Sequence, residues 1–398
     1  MNGPVVSPGP GDNRALLSVA TQFFVNGLIV ASFVPRLPEI RDRIDISTGT
    51  LGALLALGSI AGLGGSASVG RLIERFGTRL VLIAGAIVLV GSLAMIGLAT
   101  TPWLLLLGLA TLSWMDVLVD SAMNLQGSWI SGRRSVPVMN RLHGLWSLGT
   151  VVGGVVASRA AAAGVSLQTH LLVAAGLLLL VVVFVGRGLL TVDEHVGDDG
   201  SDLDPERVAA TSTSRRPGKR ALLVLLGLAS GCSIAMEMTS SDWAAFRLSD
   251  DFGATAGAAG LAYVAFTVGM TSGRFGGDWA VGRFGAQRVF DVAIAVTVVA
   301  LVVASFAPAE WMVIVAYVVA GLGVATQFPK IYDDAAKFPG RPGAGLGALT
   351  AGSRIALLVT PAVVGGLAAT SLSVGAATAF VTIPAAAIFV VVSRAAAR

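Results

Sequence analysis

Asp116, Asp120 and Asn124 recur every four residues through the apolar stretch "MDVLVDSAMNLQG", residues 115–127. Residues four apart share one face of a helix. Two carboxylates and an amide on one face can take up and release protons, or hold a polar solute by hydrogen bonds. At 100° per residue Ser113 and Gly127 join the same arc, while Met115, Leu118, Ala122 and Leu125 occupy the other side. An Asp at the centre of a membrane helix costs about 2.5–3.5 kcal/mol. The stripe is therefore expected to face water inside the protein. A structural hydrogen-bond cluster is the competing reading, strongest for Asp116.

The surroundings of the stripe are those of a membrane chain. The 398 residues are 55% hydrophobic and only 13% charged, with a mean hydropathy of +0.81. Apolar segments long enough to cross a hydrocarbon core of about 30 Å recur along the whole length. The expectation is an all-α integral membrane protein with twelve spans, near 14–36, 47–69, 80–99, 102–130, 138–162, 168–190, 220–247, 256–279, 286–307, 310–332, 343–368 and 372–393. With both termini in the cytoplasm, 21 of the 27 Lys and Arg fall in cytoplasmic loops and ends and five in outer loops, with Arg354 left inside a span. That distribution obeys the positive-inside rule and predicts an inner-membrane protein in this orientation. The polar stretch 191–219 reads as a cytoplasmic linker, 1–13 as an N-terminal tail without a signal-peptide pattern, and 394–398 as a C-terminal tail. One cysteine and three scattered His offer no metal or catalytic cluster, and no Walker loop is present, so neither a cofactor nor an enzyme is expected. The net charge of +4 sits in membrane-flanking loops, which argues against nucleic acid and for the lipid bilayer as the surrounding partner.

The two halves look related. "RFGTRLVL" at 75 and "RFGAQRVF" at 283 are 208 residues apart, and "VVGGVVAS" at 151 and "VVGGLAAT" at 363 are 212 apart. Arg36-Leu37 and Arg247-Leu248 close spans one and seven at an offset of 211. These matches predict two pseudo-symmetric six-helix bundles, 14–190 and 220–393, as in secondary transporters built from repeats.

Counting along the spans places further polar residues. Asn124 and His143 are each about ten residues from the turn between spans four and five, so His143 can approach Asp120 or Asn124 and relay protons, or serve as a structural His. Glu237 lies 17 residues into span seven, and its repeat counterpart in span one is close to Asn26. Arg354, the only basic residue expected at membrane depth, must pair with an acid such as Glu237, snorkel, or meet solute. Trp146 either stacks on a solute ring or fills a packing gap. Asp242 and Trp243 read as an outer gate or as an interfacial anchor.

The loop "GRLIERFGTR", 70–79, resembles the Gly-x-Leu-x-Asp-Arg-x-Gly-Arg-Arg loop of the major facilitator superfamily. Gly70, Leu72, Arg75, Gly77 and Arg79 fit, Glu74 replaces the Asp, and Gly273, Arg274, Asp278, Arg283 and Gly285 form a stretched second copy. The resemblance implies that pairs such as Glu74 with Arg75 or Arg79, and Asp278 with Arg283, lock one conformation of a transport cycle. It also implies that spans one, four, seven and ten line a cavity, which makes Asn26, Glu237 and Gln327 cavity residues. A finer resemblance is to the fucose-permease-like branch: Asp120 to Asn124, His143-Gly144 with Ser147 and Gly149, Glu237 with Asp242-Trp243, and Ser353-Arg354 with Pro361.

The function expected is proton-coupled transport of a small polar solute, sugar-like or related, by alternating access between the bundles of a monomer. Asp116, Asp120, His143 and Glu237 would carry protons, and Asn26, Asn124, Trp146, Gln327 and Arg354 would meet solute. A proton-driven exporter of drugs or metabolites is the alternative, and a non-transporting receptor is a third reading.

Overall fold

The computed structural model describes residues 10–134, 138–191, 217–336, 338 and 344–396. Of Asn140, Asp278 and Asp333 only the backbone is described. The linker expected at 191–219 lies outside the described residues except at its two ends.

All regular structure described is helical. The helices are α1 (Pro10–Phe33), α2 (Leu37–Ile44), α3 (Thr48–Leu98), α4 (Pro102–Arg134), α5 (Met139–Ala162), α6 (Leu167–Val185) and α7 (Pro217–Asp242). They continue as α8 (Ala244–Phe252), α9 (Ala256–Phe284), α10 (Ala286–Phe306), α11 (Glu310–Val324), α12 (Gln327–Ala336), α13 (Ala344–Ala368) and α14 (Val374–Ala396). Ten stretches among the described residues are long and apolar enough to cross a membrane. One of them, α3, is broken at Gly77 and supplies two spans; α9, with 29 residues, has the length for another. This agrees with the twelve spans expected.

Gly77 takes φ 76°, ψ 154° and Gly285 takes φ 86°, ψ 144°. Only glycine adopts this region without strain. The two breaks lie 208 residues apart, so the repeat seen in sequence carries the same backbone geometry. The expected loop at 70–79 is helical up to this single residue.

Small residues set the helix crossings. A Cβ on Gly149 would collide with the carbonyl of Phe24, and one on Gly27 with that of Trp146, so α1 and α5 touch backbone to backbone. The repeat does the same with α7 and α13, where Gly352 lies against the carbonyl of Gly227. Close approach of this kind is how membrane helices gain packing without a hydrophobic drive between them.

The described residues form two compact units: 10–33, 57–160 and 164–191 in one, and 34–56, 161–163 and those from 217 onward in the other. In the second unit Arg247, 6% exposed, caps the end of α10 by donating to the carbonyls of Ala304 (3.1 Å) and Ala307 (3.0 Å). Its partner Asp251, at 2.7 Å, accepts from the backbone N–H of Val374 (2.9 Å) and Gly375 (2.8 Å) at the start of α14. Cation and anion thus each meet the helix end whose orphan groups they satisfy. In the same unit the guanidinium of Arg41 binds both carboxylate oxygens of Asp250, donates to Thr48 at 3.0 Å, and lies over the ring of Phe246. This clasp joins the 34–56 segment to α8.

Candidate functional site

The buried face of α4 carries Leu118, Val119, Ala122, Met123, Gln126, Gly127 and Ile130. Asp116, Asp120 and Asn124 fall on the more open side, as their spacing predicted. Gly127 does not belong with them. It is buried, and a Cβ there would press on Met139 and Leu142 of α5, so it is a packing residue.

Each carboxylate of the stripe meets an amide. Asn26 of α1 donates through Nδ2 to Asp116 Oδ1 at 3.0 Å. Asn124 donates through Nδ2 to Asp120 Oδ1 at 3.0 Å and to the Asp120 carbonyl at 2.8 Å. Asn26 is 3% exposed, and its own Oδ1 has no hydrogen-bond partner. The structure therefore brings Asn26 and Asp116 together, a pairing that counting along the chain did not give. His143 is exposed, with its ring edge-on to Phe23 of α1 at a centroid distance of 5.2 Å. Trp146 is half-buried on α5, where its carbonyl faces Gly27.

Gln126 and Gln22 are two amides the sequence reading passed over. Gln126 is fully buried and fully bonded: Nε2 donates to Thr78 Oγ1 (2.9 Å) and the Leu190 carbonyl (3.0 Å), and Oε1 accepts from the Leu190 N–H (3.0 Å). Gln22 of α1 is also fully buried, yet neither polar atom of its amide has a partner. Leaving such a group unmet costs about 1–3 kcal/mol.

In the second unit Glu237 meets Arg274 of α9 at 3.6 Å. Two expectations change. Arg274 belongs to the interior of α9 and not to a charged loop copy, and Glu237, expected to pair with Arg354, meets Arg274. Arg354 is half-buried beside Ser353, whose Oγ is 2.6 Å from that of Ser230. Gln327, expected to meet solute, is fully buried, and its Nε2 donates to Thr297 Oγ1 at 2.9 Å. The cause is a break in span ten: α11 stops at Val324, and Gln327 opens α12 turned into the packing against α10. Asp242 is half-buried and accepts from Ser241 Oγ at 2.8 Å. Trp243, read as a possible interfacial anchor, is 1% exposed and packs on Phe246.

The residues expected to gate stand mostly in the open. Gly70, Glu74, Arg75 and Arg283 are exposed, Arg79 is half-exposed, and Arg75 lies over its neighbour Phe76. Among the described residues Glu74 forms no ion pair with Arg75 or Arg79; Glu74 precedes the break at Gly77 and Arg79 follows it. The side chain of Asp278 lies outside the described residues.

Comparison with known proteins places this arrangement. The chain is 24% identical over 367 residues to an uncharacterised MFS-type transporter of Yersinia pestis, covering 92% of each chain. It is 24% identical over 331 residues to the membrane protein MosC of Rhizobium meliloti, covering 83% of this chain and 78% of that one. Among solved structures, the nucleoside transporter NupG superposes with a TM-score of 0.73 at 13% identity, over 96% of this chain and 98% of the other. A bacterial homologue of the human lysosomal transporter Spinster, in an inward-facing conformation, gives a TM-score of 0.65 at 15% identity, over 98% and 96%. The profile of the Major Facilitator Superfamily matches residues 19–241, more than half of the chain; with its helical multi-pass fold, the protein belongs to the major facilitator superfamily of membrane transporters.

Proposed function

We propose that this chain is a proton-coupled secondary transporter of a small polar organic solute, acting as a monomer in the inner membrane with both termini in the cytoplasm. The observation that carries the reading is the pair of carboxylates on α4, Asp116 bonded to Asn26 and Asp120 bonded to Asn124, in a helix apolar enough to cross a membrane. A carboxylate stays charged at that depth only while hydrated or hydrogen-bonded, and a bound proton removes the cost of enclosing it. Occlusion is therefore cheapest with Asp120 protonated, which ties the conformational cycle to the proton. His143 and Glu237 are the further titratable groups of this path, Asn124, Trp146 and Arg354 the further candidates for solute contact. The fucose-permease-like pattern in the sequence favours a sugar-like solute. The nucleoside transporter among the structural neighbours handles a solute of similar polarity.

The test compares net accumulation with exchange in liposomes. Asp120→Asn is expected to abolish accumulation driven by a pH gradient and to leave solute exchange largely intact. Equal loss of both would make Asp120 a binding or structural residue.

Two carboxylates one turn apart also suit exchange of protons for a cationic compound, so export is the second reading. Deletion and overexpression strains would then differ in susceptibility to cationic drugs; no difference favours uptake.

A further inference from the structure

Gln22 is a buried amide of the first unit that no hydrogen bond accounts for. Its amide is wholly buried with both polar atoms unpartnered. Protein interiors seldom leave such groups unmet, and Gln126 in the same unit has every amide atom bonded. Gln22 lies one helical turn from Asn26, whose unpartnered Oδ1 belongs to a side chain held against Asp116.

The register of α1 and α4 says what Gln22 stands opposite. The two helices run antiparallel, fixed at one level by Asn26 on Asp116 and at another by Asp12 on Arg133 and Asn13 on Arg134. One turn from the Asn26–Asp116 level towards Arg133, about 6 Å at 1.5 Å per residue, Gln22 of α1 comes level with Asp120 of α4. Two levels result, each with an amide of span one and a carboxylate of span four; Asn26 and Asp116 are hydrogen-bonded, whereas the Gln22 amide bonds to neither. The second half repeats the spacing: Ser233, fully buried with its Oγ unpartnered, precedes Glu237 by the same four residues.

We propose that Gln22 is a solute-recognition residue. With Asn26 Oδ1, Asp116 and Asp120 it forms a two-rung site for a solute that offers hydrogen-bond donors, hydroxyl or ammonium, and accepts from the Gln22 amide. Carboxylates and an amide oxygen are acceptors, so the site excludes anionic solutes. The proposal rests on the transport reading above and deepens it.

Cys232 is the single native cysteine, so Cys232→Ser gives a background in which Gln22→Cys reports alone. Membrane vesicles holding the full chain are treated with methanethiosulfonate reagents bearing ethylammonium, hydroxyethyl or sulfonatoethyl groups, each rate normalised to a free thiol. The donor-bearing reagents are expected to react about tenfold faster than the sulfonate, with Asp120→Asn narrowing the gap. The ratio of ammonium to hydroxyl rates distinguishes the two donor sources. Equal rates for all three overturn the proposal, as does no reaction while His143→Cys is modified. Gln22→Leu, which fills similar space without polar atoms, is expected to keep or raise the melting temperature and to lose saturable uptake. Unchanged uptake contradicts the proposal. Absence of any uptake by the wild-type chain contradicts the transport reading instead, whatever position 22 reports.

Discussion

At the scale of residues, the two buried glutamines of the first unit differ in their partners, and the proposals above give them different roles. Gln126 joins Thr78 to the backbone of Leu190 by three hydrogen bonds. Gln126→Leu leaves the Leu190 N–H and carbonyl buried without partners, at about 1–3 kcal/mol for each orphan. The expected outcome is a clearly lower melting temperature in detergent, with uptake per folded molecule unchanged. Asp116, Asp120 and Asn124 were legible in the sequence because they lie within one helix, where spacing alone fixes their face. The hydrogen bond from Asn26 to Asp116 and the ion pair of Arg274 with Glu237 were not, since each joins helices whose register only packing determines.

At the scale of elements, glycines decide where helices break and where they touch. Gly77→Ala and Gly285→Ala force a side chain into a backbone region that costs about 1–3 kcal/mol, so both are expected to lower the melting temperature by similar amounts. A large effect at one and none at the other would contradict their equivalence in the repeat. Gly149→Ala, which collides with the Phe24 carbonyl, is expected to be far more damaging than Gly176→Ala, which faces open space; yields of folded protein compare them. The Arg247–Asp251 pair is the other device at this scale. Removing one partner strands a buried charge and uncaps a helix, so Asp251→Ala is expected to cost about 3–5 kcal/mol. The repeat was readable from "RFG" at 75 and 283, whereas the break of span ten was not: Ala325 and Thr326, between α11 and α12, give no stop signal.

At the scale of the whole molecule, the proposed reading assigns orientation to loop charge and energy coupling to the carboxylates of α4. The excess of Lys and Arg on one set of loops predicts that, in the Cys232→Ser background, Ala163→Cys reacts with an impermeant maleimide in intact cells and Gln287→Cys does not. The reverse pattern would invert the topology. The central claim is the coupling itself, and proteoliposomes holding the wild-type chain test it most directly, with the solute that most raises its melting temperature. The account predicts that an acid-outside gradient drives solute above its equilibrium level and that collapsing the gradient returns it to that level. Uptake that stops at equilibration with or without the gradient would contradict it.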